Sequence, residues 1–129
     1  MAEERFDGIV GIVDDDASVR TALARLLGSI GVEAVTHASG VEYLASRELH
    51  EVDCLLLDVH LPGLSGLEVL REVQDAATKV PVVLMTARYD ADFAKRAISA
   101  GAAAFLRKPF SDTELFSALE DATGLPIVV

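Results

Sequence analysis

The sequence predicts an α/β protein with a single doubly wound parallel sheet of five strands and five helices. Three observations lead to this prediction: short apolar runs alternate with stretches of helical periodicity, the connections are short, and several apolar runs end in polar residues. Such alternation favours right-handed crossovers with helices on both faces of the sheet. The 129 residues suit one domain, 1–129, with a core at about 9–122 and a tail or the start of a linker at 123–129.

Five apolar runs have the length and composition of buried strands, and the third is the most uniform. There Leu55-Leu56-Leu57 leads to Asp58 and then into a loop that contains proline and glycine. A continuous apolar run is typical of a strand that is covered on both faces, as in a parallel sheet. The predicted strands are Ile9–Val13, Val32–Thr36, Cys54–Asp58, Val82–Thr86 and Ala103–Leu106.

The segments between these strands repeat apolar residues at helical spacing. Serine near a helix start can accept a hydrogen bond from an unpaired backbone N–H, and glycine favours the turn that ends a helix. The predicted helices begin near Ser18, Ser39, Ser65, Asp92 and Ser111, and glycines follow the first and fourth at Gly31 and Gly101.

Composition excludes several classes of protein. Hydrophobic residues make up 51% and charged residues 25%, which is typical of globular domains. The single cysteine, Cys54, is insufficient for an internal disulfide or a cysteine-rich zinc site. The N-terminus has no secretion signal, and no apolar stretch reaches the roughly 18 residues that span a bilayer. We therefore expect a cytoplasmic protein without membrane contact.

The formal net charge is −10, from 21 acidic and 11 basic residues. Such a surface repels phosphate backbones, so we expect no direct binding of nucleic acid by this domain. Part of the acidic excess is concentrated in Asp14-Asp15-Asp16, directly after the first strand.

Polar side chains follow four of the predicted strands. Asp14 and Asp15 follow the first strand, Asp58 ends the third, Thr86 ends the fourth and Lys108 follows the fifth. The carboxyl ends of parallel strands meet at one edge of the sheet, where ligands bind. Taken alone, each residue could be a cap, a strand end or a solvated side chain. Their joint placement favours a Mg²⁺ site, with Mn²⁺ as a substitute, because gathered carboxylates need a cation.

The same residues favour phosphoryl chemistry. Asp58 could act as a nucleophile that forms an acyl phosphate, with the Lys108 ammonium and the Thr86 hydroxyl around the phosphoryl oxygens. If His60 contributes to the metal site, we expect it to do so through its backbone carbonyl rather than its imidazole.

The segments that carry these residues resemble the receiver domain of two-component response regulators, which is CheY-like within the flavodoxin-like folds; the sequence is similar to FixJ-type receivers. The resemblance implies that Asp58 accepts phosphate from a sensor histidine kinase or a phosphotransfer protein. It also implies that Asp14 and Asp15 hold Mg²⁺, Asp15 more directly. The matching segments are 12–16, 57–66, 85–87 and 108–110.

The resemblance also implies a switch. Thr86, Ala87 and Lys108 match the positions that contact phosphate or respond to it, and Phe105 matches the switch aromatic. We expect the Thr86 hydroxyl to move toward the phosphate and Phe105 to turn inward; the alternative is a permanently buried Phe105. This motion would reshape the face formed by the fourth helix, fifth strand and fifth helix. That face, with exposed charges expected at Asp92, Lys95, Arg96 and Glu114, would meet a downstream partner, a dimer mate or an output domain.

Three further positions are singled out by the resemblance. The Lys108–Pro109 peptide bond is expected to be cis. His60 and Arg88 are expected to flank the path of the water that hydrolyses the acyl phosphate, and so to tune dephosphorylation.

Two other function classes share part of this pattern of residues. A haloacid-dehalogenase-type phosphatase also uses an aspartate nucleophile with Mg²⁺ and lysine, but it needs a second aspartate where this chain has His60. We therefore expect no enzyme, with at most slow autodephosphorylation. The second class is a binding module that has the receiver fold but is regulated without phosphate. At the C-terminus, Gly124-Leu125-Pro126 breaks the last helix, and Ile127-Val128-Val129 has no predicted element to join.

Overall fold

The computed structural model describes residues 5–46, 51–76, 80–88 and 90–127, in which strands and helices alternate. The strands are β1 (Ile9–Val13), β2 (Glu33–His37), β3 (Cys54–Asp58), β4 (Val82–Thr86) and β5 (Ala104–Arg107). The helices are α1 (Ala17–Ser29), α2 (Gly40–Ser46), α3 (Gly66–Asp75), α4 (Ala91–Ser99) and α5 (Asp112–Thr123).

The strands form one parallel sheet in the order β2-β1-β3-β4-β5. The chain starts at β1, moves outward to β2, and then returns past β1 to build β3, β4 and β5. This reversal leaves β1 and β3 side by side at the point where ligand sites form in open α/β sheets. The predicted doubly wound sheet with five helices is confirmed.

Two apolar layers cover the sheet, and every residue of β3 and β4 is buried. On one face, α1 and α5 pack through residues such as Leu27 and Leu115. On the other face, α2, α3 and α4 pack through residues such as Tyr43, Leu70 and Ala97. Successive strand residues contribute to opposite layers, as the period of a strand requires. In the described part of the chain, the helices lack the combination of length and apolar character that a membrane span needs.

Element boundaries differ from the sequence-based expectation by one or two residues. Strands β2 and β5 each begin and end one residue later than predicted. Helix α1 begins earlier because the Asp16 side chain accepts a hydrogen bond from the Ser18 N–H at 2.9 Å, and Asp90 caps α4 in the same way. Ser65 and Ser111 cap α3 and α5 as predicted, each with a reciprocal glutamate.

The C-terminal segment packs on the domain, which corrects the expectation that it has no element to join. Gly124 ends α5 in the left-handed conformation and redirects the chain toward the N-terminal segment. The Phe6 N–H donates to the Pro126 carbonyl at 2.9 Å. Ile127, only 9% exposed, lies with Phe6 in the layer formed by α1 and α5. The described core therefore extends beyond 9–122; Val128 and Val129 lie outside the described residues.

Candidate acidic site at the carboxyl edge of the sheet

Three aspartates meet at the carboxyl edge, at the ends of the adjacent strands β1 and β3. Asp14 and Asp15 follow β1, and Asp58 is the last residue of β3, whose preceding residue Leu57 pairs with Val13. One carboxylate oxygen from each of the three aspartates lies within 4.8 Å of the others. Asp14 and Asp58 are buried, with exposed fractions of 1% and 7%, whereas Asp15 is exposed. The sequence-predicted acidic residues are thus brought together.

Lys108 is the cation nearest to this cluster. Its Nζ lies 2.6 Å from Asp14 Oδ2 and 3.6 Å from Asp58 Oδ2. The backbone N–H of Lys108 donates to the Thr86 carbonyl at 2.6 Å, which ties the loop after β5 to β4. The Lys108–Pro109 peptide bond is cis. The ammonium is therefore shared, with its closest contact to Asp14 rather than to the expected phosphoacceptor.

The charge on Asp58 is only partly compensated. Burial raises the pKa of its carboxyl above the ordinary value, the nearby Lys108 ammonium lowers it, and the negative charge of Asp14 raises it again. The His60 N–H donates to Asp58 Oδ1 at 3.2 Å. One ammonium and one N–H do not offset burial beside a second buried carboxylate. Further positive charge would relieve this deficit, and hard carboxylate oxygens suit Mg²⁺.

Thr86 is completely buried at the end of β4 and points its hydroxyl into the following turn. Its Oγ1 accepts from the Arg88 N–H at 3.0 Å and donates to the Arg88 carbonyl at 3.0 Å. The hydroxyl thus closes a turn over Ala87, whose side chain is exposed, as is that of Arg88. Strand alternation places Thr86 on the same face as Leu84, the face covered by α2, α3 and α4.

Phe105 lies two strands from Asp58 on the edge strand β5. It is half-buried, pairs in register with Leu84, and packs against the layer formed by α2, α3 and α4. Its ring centroid lies 5.9 Å from that of Phe93 in α4. The aromatic is therefore partly in the core and partly at the surface. The four charged residues expected on the outer face, Asp92, Lys95, Arg96 and Glu114, are all exposed, as is His60.

Two residues that sequence reasoning did not select also shape the site. Arg20 in α1 donates from Nη1 to the Asp14 backbone carbonyl at 2.8 Å. A Cβ added to Gly66 at the start of α3 would lie 2.5 Å from the Asp58 carbonyl oxygen, so only glycine allows this close approach. The arginine carries no signal in the sequence, since a basic residue in a helix is usually solvated. The sequence places a glycine after Ser65, but the reason for it lies in a tertiary contact with the Asp58 backbone.

Known proteins resemble this chain over most of its length. The family described as response regulator receiver domain matches residues 10–120. Nodulation protein W of Bradyrhizobium diazoefficiens is 42% identical over 121 residues, which cover 94% of this chain and 53% of that protein. Transcriptional regulatory protein FixJ of Azorhizobium caulinodans is 37% identical over 115 residues, which cover 89% of this chain and 54% of that protein. The chain thus spans about half the length of these curated relatives.

A solved structure agrees with the same assignment. Chemotaxis protein CheY4 of Vibrio cholerae superposes with a TM-score of 0.82 at 27% sequence identity. The match covers 91% of this chain and 99% of that one. The likeness therefore extends over most of the fold.

Proposed function

The chain belongs to the family of response regulator receiver domains, and from this membership we propose that Asp58 accepts a phosphoryl group and thereby switches a downstream output. Members of this family are phosphoacceptors rather than enzymes with turnover. The observation that carries the proposal is the buried Asp58 carboxylate, raised in pKa and lying with Asp14, Asp15 and Lys108 at the carboxyl edge.

The donor is a phosphohistidine on a sensor histidine kinase or a phosphotransfer protein. A carboxylate oxygen of Asp58 attacks the phosphorus, and the bond between phosphorus and the donor imidazole nitrogen breaks. The electron pair stays on that nitrogen, which takes up a proton. Transfer of this kind depends mainly on positioning and on neutralising charge. The Lys108 ammonium, 3.6 Å from Asp58, is near enough to neutralise charge on the transferred group.

The acidic cluster also fits a divalent cation. Asp14, Asp15 and Asp58, together with the backbone carbonyl of His60, would hold Mg²⁺, or Mn²⁺ in its place. When bound, the ion would neutralise the carboxylates and the phosphoryl oxygens. The carboxylate oxygens within 4.8 Å of one another and the undercompensated charge on Asp58 support this assignment.

We further propose that Thr86 and Phe105 form the switch. Phosphorylation draws the Thr86 hydroxyl away from its turn with Arg88 and toward the new oxygens, with Ala87 in contact with the phosphate. Phe105 then turns inward from its half-buried position. Their common face of the sheet supports this coupling, since Phe105 pairs with Leu84, two residues before Thr86.

Two side chains near the site would set the lifetime of the acyl phosphate, and one surface would meet the partner. The exposed His60 and Arg88 side chains flank the path of the hydrolysing water and set the dephosphorylation rate. The switch acts in the cytoplasm through the surface of α4, β5 and α5, on a protein partner, a dimer mate or an output domain. FixJ is a transcriptional regulatory protein of which the match covers 54%, and this supports the last of these. Direct contact of this domain with nucleic acid is not expected.

The test is intact mass spectrometry after incubation with acetyl phosphate, with and without Mg²⁺. We expect one phosphoryl adduct on the wild type that requires Mg²⁺ and is absent from Asp58→Asn. Asp16→Asn is the matched control, because Asp16 lies beside the acidic pair but its side chain caps α1. Asparagine also caps helices well, so this variant should be phosphorylated like the wild type.

Three results would argue against the proposal. An adduct that persists in Asp58→Asn would place the acceptor elsewhere. Rapid release of phosphate over many turnovers would favour a phosphatase. If acetyl phosphate and a kinase phosphodonor both leave the wild type unmodified, a binding module that works without phosphate becomes the better account.

A further inference from the structure

We propose that Phe93 is a positioning residue that couples Phe105 to the exposed ion pair of Asp92 and Arg96 on α4. This inference rests on the proposed function, because it supplies the path by which motion of Phe105 reaches the outer surface. It assigns a role to a residue that the acidic site itself does not use.

The first contact in this path joins β5 to α4. The rings of Phe93 and Phe105 lie 5.9 Å apart between centroids, with their planes inclined at 53°. This distance and inclination fall within the range of favourable aromatic pairs. Both rings are half-buried and pack against the layer formed by α2, α3 and α4. The orientation of Phe105 is thus held in part by the Phe93 ring.

The second contact leads from Phe93 to the surface. The Arg96 guanidinium carbon lies 5.8 Å from the centre of the Phe93 ring, within the range of a cation–π contact. The Arg96 Nε lies 3.6 Å from Asp92 Oδ2, one helical turn away. The side chains of Arg96 and Asp92 are 64% and 81% exposed, so they are accessible to a partner. Phe93 is therefore in contact with the aromatic of the switch on one side and with a surface charge on the other.

These contacts predict what happens when Phe105 turns inward. The Phe93 ring loses its neighbour and repacks, and Arg96, which rests on that ring, moves with it. An exposed ion pair contributes little to stability, so the effect on the protein is a change in the position of surface charge. A partner that reads the α4 surface would thus meet a different arrangement of Arg96 and Asp92.

The contact between Phe93 and Phe105 also favours one of the two states of the switch over the other. This contact is present while the Thr86 hydroxyl is bonded to the Arg88 backbone, the arrangement that phosphorylation is proposed to break. Removing the contact therefore favours the activated state. Loss of an aromatic pair of this kind changes an equilibrium constant by about two- to tenfold. By linkage, weakening the contact should tighten the binding of a phosphoryl mimic by the same factor.

The experiment measures beryllofluoride binding in the presence of Mg²⁺ and follows the Arg96 Nε–H resonance by NMR. In the wild type, beryllofluoride should shift this resonance. Phe93→Leu should bind beryllofluoride about threefold more tightly and lose most of the Arg96 shift, while the Phe105 ring still responds. In a Phe105→Leu background, the same substitution should leave the affinity unchanged, which makes the two residues a coupled pair.

Two variants are controls. Phe93→Tyr keeps the ring and should behave like the wild type in both measurements. Ile98→Ala alters an apolar side chain that is 55% exposed on the same helix, and it should change neither the affinity nor the Arg96 shift.

The coupling would be overturned if the Arg96 shift kept its full size in Phe93→Leu, or if its effect on affinity were the same with and without Phe105. A wild type whose Phe105 ring responds while Arg96 does not would also overturn it, and this measurement needs no variant. Failure of the proposed function is distinct: neither a phosphoryl adduct nor beryllofluoride binding would then appear, and the coupling would fall with it.

Discussion

The negative charge of the Asp58 carboxylate is only partly offset by the groups around it. Burial and the adjacent Asp14 carboxylate disfavour its ionised form, and the Lys108 ammonium, closer to Asp14 than to Asp58, offsets only part of this cost. A bound cation would offset the part of this cost that the Lys108 ammonium leaves.

The raised pKa of Asp58 gives stability a defined pH dependence in the absence of metal. Its folded-state pKa exceeds the ordinary value of 3.8, so the folded state binds the proton more tightly than the unfolded state. The contribution of Asp58 to stability is therefore greatest below pH 3.8. It declines as the pH rises from 3.8 through the raised pKa of the folded state. Asp58→Asn should melt at a higher temperature than the wild type near neutral pH in EDTA, and the difference should vanish in acid. Thermal melts across pH test this.

Asp16 is a control because its pKa is shifted in the opposite direction to that of Asp58. Hydrogen bonds from Ser18 lower the pKa of its carboxyl, so its contribution to stability is present above the ordinary value and is lost in acid. Asp16→Asn should therefore not raise the melting temperature near neutral pH. A lower melting temperature for Asp58→Asn than for the wild type in EDTA would contradict the charge argument.

Helix α3 owes its position to one glycine. Gly66 lies directly after the Ser65 cap, and its N–H donates to the Val59 carbonyl at 3.0 Å. This contact brings the start of α3 against the loop that follows Asp58. The close approach fixes the backbone around Asp58, including the backbone N–H that His60 donates to the Asp58 carboxylate.

Gly66→Ala should therefore destabilise the domain despite the better helix propensity of alanine. The new Cβ would lie 2.5 Å from the Asp58 carbonyl oxygen and 2.7 Å from the Val59 Cα, so backbone must move. We expect a loss of about 1–3 kcal/mol in the free energy of unfolding, measured with urea.

Gly28 in α1 is the matched control. A Cβ added there meets no atom within 4 Å, so Gly28→Ala should increase the free energy of unfolding by about 0.5–1 kcal/mol. Equal effects of the two substitutions, in either direction, would show that the close approach at α3 does not govern stability.

The two ends of the described chain meet at the side of the sheet opposite the acidic edge. Phe6 precedes β1 and Ile127 follows α5, and both pack beneath α1 in one apolar layer with Leu27 and Val32. Contacts between Phe6 and the segment that follows α5 thus close this edge of the domain.

Ile127→Ala should show that this closure contributes to global stability. Ile127 is 9% exposed, and removing its side chain leaves a cavity beside Phe6. We expect a loss of about 2 kcal/mol in the free energy of unfolding, at the low end of the range for core substitutions. Val41→Ala, at a side chain that is 62% exposed, is the control and should change it by less than about 0.5 kcal/mol. Equal losses in the two variants would mean that the C-terminal segment does not hold the core.

The alternating periodicities were sufficient to predict the sheet, its helices and the edge that carries the site. They are local properties of the chain, and parallel strands place their carboxyl ends together whatever the side chains between them. The proximity of Asp14, Asp15, Asp58 and Lys108 followed from their positions alone.

Other features depended on side-chain packing between residues far apart in sequence. Lys108 contacts Asp14 more closely than Asp58, Arg20 donates to the Asp14 carbonyl, Ile127 packs with Phe6, and Phe93 contacts Phe105. No spacing in the chain encodes such contacts, because each is set by the register, twist and rotamers of elements that meet only once the domain has folded. The sequence thus determined which groups gather at the acidic edge, and tertiary packing decided which of them touch.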